Sequence, residues 1–95
     1  MGDVNKEKAS LVSQTTNLER KMNIGGLIDL NSFLENYYGE LANLDENAYK
    51  NKLTEILSSE EFGFGGSILD ALIESFSENK EAVDKLTNSY INNAT

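Results

Sequence analysis

Apolar residues recur along this chain at spacings of three, four and seven, and that spacing predicts helices. The clearest stripe is Leu30, Phe33, Leu34, Tyr37, Tyr38 and Leu41, one face of one helix. Ser32 and Glu35 offer it a capping box, and Asp29 offers an alternative cap one turn earlier. Gly39 weakens this helix without having to end it. Asp45 suits the N-cap of a second helix, striped by Tyr49, Leu53, Ile56 and Leu57. The run "SSEEFGFGG" then breaks the pattern. After it, Ser67 is placed to cap a helix with Ile68, Leu69, Leu72, Ile73 and Phe76 on one side, and Asp70 stands at capping-box distance. A last helix, capped by Ser77 or Asn79, carries Val83, Leu86 and Tyr90. Residues 1–22 are less definite. Val4, Leu11, Leu18 and Met22 make a thin stripe, and "SQTT" is a poor helix former. The expectation there is a marginal helix that needs a partner surface, or a mobile N-terminal arm.

No strand-like alternation competes with these periods. Short polar links favour antiparallel neighbours, so the expected fold is all-α, a small antiparallel bundle of four to five helices. Residues 23–95 form its acidic helical domain. An internal likeness points to a duplicated helical hairpin: "GGLIDLNSFLENY" (25–37) aligns with "GGSILDALIESF" (65–76), pairing Leu30 with Leu69, Phe33 with Leu72, Leu34 with Ile73 and Tyr37 with Phe76.

Charge divides the chain unevenly. Its net charge is -8. Residues 1–22 set Asp3, Glu7 and Glu19 against Lys6, Lys8, Arg20 and Lys21, whereas Leu53 to Asn79 holds six acids and no base. Such a body repels nucleic acid and anionic membrane, which are bound through clustered Lys and Arg, and it attracts a basic protein surface. No stretch approaches the ~18 apolar residues of a membrane span, and the N-terminus lacks a signal-peptide core. A cytoplasmic location is expected, with leaderless secretion left open. Met1-Gly2 begins like a myristoylation site, but Lys6 stands where Ser or Thr belongs.

The 95 residues include no His, Cys, Trp or Pro. Without His and Cys, the usual catalytic bases and thiol nucleophiles are missing, as are the ligands of structural zinc. The acidic pairs Asp45/Glu46 and Glu60/Glu61 are sequence neighbours and do not face each other across a cleft, as glycosidase carboxylates must. "GFGGS" ahead of a helix offers backbone N–H groups to a phosphate but lacks the P-loop lysine. No enzyme activity, cofactor or metal is expected.

Three local resemblances bear on that reading. "KMNIGGLIDLNSF" resembles an EF-hand calcium loop, with Asn23, Gly26, Ile28 and Asp29 at loop positions 3, 6, 8 and 9. Lys21 and Ser32 occupy positions 1 and 12, where acids are needed, so no calcium site is implied. "FGFGGSILDAL" resembles the pantetheine-attachment segment of carrier domains, Gly-Gly-x-Ser-Leu, but Ser67 follows Gly66 directly and the spacing is one short. "YYG" (Tyr37–Gly39) resembles the central Trp-x-Gly turn of small helical hairpins exported by type VII secretion. The Trp is absent, and Tyr90 is not followed by an acid four residues on.

What remains is the loop itself. Phe62 and Phe64, turned outward beside Glu60 and Glu61, would form an aromatic patch with an acidic rim, and these four residues are the candidate protein-binding site. The expected function is a non-enzymatic protein-binding module of the inhibitor, immunity or adaptor type, docking on a basic partner surface. The alternative is a structural or secreted self-associating helical protein, of the type VII-secreted kind or a homodimer formed through the N-terminal stripe.

Overall fold

The N-terminal stripe becomes a helix because the chain supplies surfaces on two of its flanks. The computed structural model describes residues 3–94, in five helices: α1 (Asp3–Met22), α2 (Leu30–Leu41), α3 (Glu46–Leu57), α4 (Gly66–Glu78) and α5 (Lys80–Ala94). Leu11, Leu18 and Met22 of α1 are buried against α2 and α5. The side chain of Val4, like Met1-Gly2, lies outside the described residues. Thr15 is buried too, and its hydroxyl donates back to the carbonyls of Leu11 and Val12, so a polar group enters the core already satisfied.

Ser10 and Gln14 face Ser89 and Asn93, while Asn17 and Lys21 face Ala82 and Lys85, so α1 and α5 run antiparallel. Likewise, the start of α3 meets the end of α4, and the amide of Phe64 donates to Leu57 O at the other end. The broadest contact is between α2 and α5; α1 lies against both, and α3 packs chiefly on α4. Leu30, Leu34, Leu41, Tyr49, Leu53, Leu57, Phe76 and Val83 are wholly withdrawn from solvent, each contributing about 2 kcal/mol through apolar burial. Buried residues of all five helices thus form one core. The described residues contain no strand.

Caps set the helix boundaries. Asp29 is the N-cap of α2, accepting from Ser32 N, and Asp45 caps α3 by accepting from Ala48 N. At the end of α1, Asn23 adopts φ 60, its amide donates to Arg20 O and the amide of Ile24 donates to Glu19 O, the pattern of a Schellman turn. At the end of α4 the Tyr49 hydroxyl donates to Phe76 O, and Ser75 O accepts from both the backbone amide and the side-chain amide of Asn79.

Four expectations need correction. Ser67 is not a cap: α4 starts at Gly66, Gly65 is its N-cap, and no side chain caps it. The Asn79 side chain serves the end of α4, as above, rather than the start of α5. Ile68 stands half in solvent, at 49% exposure, because it projects beyond the edge of the core in the first turn of α4. The aligned segments also occupy unlike places: Gly25-Gly26 lies in a turn four residues before α2, whereas Gly65-Gly66 is the start of α4 itself.

Candidate functional site

The connection between α3 and α4, residues 58–65, begins as a continuation of α3. The amides of Phe62 and Gly63 both donate to Ser59 O, and Gly63 turns the chain at φ 67. That turn carries both phenylalanine rings back toward the bundle. Phe62 meets Phe33 edge-on at 5.6 Å and lies 6.0 Å from Tyr37; Phe64 stacks on Phe62 at 6.3 Å. Phe33 in turn touches Phe76, which is fully buried, at 5.5 Å. A line of aromatic rings therefore runs from the core to the surface, and Phe62 and Phe64, both half-buried, are its outer end.

The two carboxylates of this loop differ. Glu61 accepts a short hydrogen bond from the Tyr37 hydroxyl. That bond is the first cause raising the Tyr37 pKa above its usual value, followed by burial and by the charges of Glu61 and Glu40. Glu60 is exposed. Of the four candidate residues, Phe62, Phe64 and Glu61 are thus joined through Tyr37 and Phe33, and Glu60 stands at the edge of that group.

The acids continue beyond the loop. Glu55, Glu60, Glu61, Asp70, Glu74 and Glu78 are all exposed. A cleft of about 480 Å³ between α3 and α4 is lined by Glu46, Asp70, Glu74 and Glu78, with Ile73 among its lining residues. Lys50 also lines it, held 3.5 Å from Glu46. Among the described residues there is no group of three or more His, Cys, Asp or Glu able to hold a metal ion, and no helix is long and apolar enough to cross a membrane. In the segment resembling a calcium loop, Asn23 ends α1 and Asp29 begins α2, so both are occupied by helix punctuation.

No protein-family model, curated protein or solved structure matches this chain. Its surface must therefore be read from its own geometry. Two features lay outside the reach of the sequence patterns. One is Glu19, which crosses from α1 to accept from Leu30 N at 2.9 Å and so holds the first turn of α2. The other is the pair Leu27 and Ile68, at 47% and 49% exposure, which line one groove between the α1–α2 turn and α4. The only sequence signal for it was an apolar residue in each of two segments flanked by glycine.

Proposed function

We propose that this protein is a non-enzymatic protein-binding module of the inhibitor, immunity or adaptor type, docking on a basic partner surface from the cytoplasmic side. The carrying observation is the exposed set of six acids on residues 53–79, a stretch without a base, of which Glu60 and Glu61 adjoin the half-buried ring pair Phe62–Phe64. Half-buried aromatics already fixed by neighbours lose little freedom on docking, and surrounding acids draw a basic partner in. Glu60, Glu61, Phe62 and Phe64 are the proposed contact residues of the loop.

The test is the association rate with the partner captured from the source cell. Glu60→Lys is the variant of choice, since Glu61 also holds Tyr37. It is expected to slow association several-fold at low salt, with the difference shrinking once the Debye length falls to about 3 Å near 1 M salt. An unchanged on-rate removes the loop from the interface. The self-associating alternative draws on the N-terminal stripe and the possible internal repeat; Leu11, Leu18 and Met22 of that stripe are buried within the chain. Deleting residues 1–22 would therefore uncover core rather than a dimer face.

A further inference from the structure

We infer that the groove between the α1–α2 turn and α4 receives a basic amphipathic helix from a partner protein. The reading above supplies the sign of the partner's charge; the place and the shape of the partner are new. The groove has a volume of about 340 Å³, and Met22, Ile24, Leu27, Ile68, Ala71 and Leu72 line it. Among the described residues the exposed large hydrophobics are Val12, Leu27 and Ile68, so two of the three meet here. Asn23, Ser67 and Ser75 line it as well, and the Ser75 hydroxyl is already engaged, its Oγ donating to Met22 O at 3.1 Å. Exposed apolar residues gathered in one place, rather than scattered, mark an interaction site.

The rows on α4 define the occupant. Ile68, Ala71 and Ser75 stand at i, i+3 and i+7, a straight row about 10 Å long at 1.5 Å per residue. Asp70, Glu74 and Glu78, at i, i+4 and i+8, make an exposed acidic row on the adjoining flank of α4, outside the groove and lining the cleft toward α3. Two neighbouring rows, one led by Ile68 and Ala71 and closed by the engaged Ser75, the other negative, complement a helix with apolar residues on one face and Lys or Arg along its margin. A second copy of this chain fits poorly. Its bases Arg20 and Lys21 lie on α1, whose apolar stripe is already buried, and Lys50, Lys52, Lys80 and Lys85 are each paired with an acid of their own helix.

The experiment titrates the full, isotope-labelled chain with a helical peptide of about 14 residues of Leu and Lys, leucines on one face, and follows amide shifts. The same peptide with Glu for Lys and a scrambled version are the controls. Shifts centred on Leu27, Ile68 and Ala71 are expected, with affinity about tenfold weaker in Leu27→Ser and in Ile68→Ser. Both positions are half exposed, so each variant should keep its helical circular dichroism, and either alone suffices. Shifts centred on residues 58–64 with a silent groove overturn this inference and leave the acidic-loop reading standing. Equal binding of the Glu peptide overturns both. Equal binding of the scrambled peptide, or no shift up to millimolar peptide, overturns the helix-in-groove assignment. A dimer in sedimentation that is lost in Ile68→Ser assigns the groove to a second copy instead.

Discussion

The turns at residues 23–29 and 58–65 each place a glycine pair ahead of a strongly amphipathic helix, yet they are held by different means. The first is clamped from outside itself. Glu19 reaches in from α1 to Leu30 N, Ser75 from α4 to Met22 O, and Ile24 and Ile28 are buried. Asp29 then caps the helix that follows. The second has no side-chain cap. It rests on backbone hydrogen bonds to Ser59 O and Leu57 O, on one tyrosine–glutamate bond, and on two rings half in water. A glycine pair permits a turn; what crosses the turn from neighbouring elements decides how firmly it is held. The firm turn supports an apolar groove, and the looser one carries the aromatic and acidic residues.

The contrast can be broken most readily at its anchors. Ile24→Ala should cost about 2–5 kcal/mol in urea unfolding, since the side chain is buried and leaves a cavity. Phe62→Ala should cost less, about 1–2 kcal/mol, because the ring is only partly buried. Equal costs would mean that both turns are anchored alike. Next is backbone geometry. Gly63→Ala forces a Cβ into the left-handed region and should cost about 1–2 kcal/mol, although no atom lies within 4 Å of that position. Caps come third: Asp29→Ala should lose about 1 kcal/mol and Ser67→Ala less than about 0.5, compared by thermal melts. A costly Ser67→Ala would restore the cap that the sequence suggested.

The smallest effect is in alkaline titration. Each turn has a tyrosine hydroxyl near it: Tyr37 donates to Glu61 and Tyr90 to Asn31, just inside α2. Burial first, and then the charge of Glu35, push the Tyr90 pKa up to about 12. The unfolded chain ionises at about 10, so the folded state binds this proton more tightly. Stability from Tyr90 is therefore complete below pH ~10 and falls as pH rises toward 12. Glu61→Gln should move the ionisation of Tyr37 to lower pH and leave that of Tyr90 in place, as read from tyrosinate absorbance. Movement of both would show that the two turns are electrostatically linked.

Much of this architecture was legible in the sequence because helix burial is periodic. Leu30, Phe33, Leu34, Tyr49, Leu53, Leu57, Leu72, Phe76, Val83 and Leu86 all lie where the stripes put them. The Asp29 and Asp45 caps were legible for a similar reason, since capping joins residues three apart. Contacts across long separations were not. Nothing near Leu11 or Leu18 tells that α5 will cover them, and nothing near Phe62 tells that Phe33 waits for it, 29 positions earlier. Ser67 has the chemistry of a cap, but Gly66 at φ 61 starts the helix one residue too early for it. Ile68 has the period of a core residue, yet the core ends before reaching it. The candidate loop was found by composition, whereas the groove joins segments more than forty residues apart and needed three dimensions.

The order of synthesis gives the placement of α1 a consequence for folding. As the chain leaves the ribosome, α1 can lean on α2 early, but its other flank faces Ala82, Leu86 and Asn93, which are made later. Closing contacts of such sequence separation is slow relative to local helix formation. A helix with a rich apolar stripe would be exposed to aggregation during that interval. The sparse stripe of α1, separated by Ser, Thr and Gln, exposes little apolar surface until α5 is made.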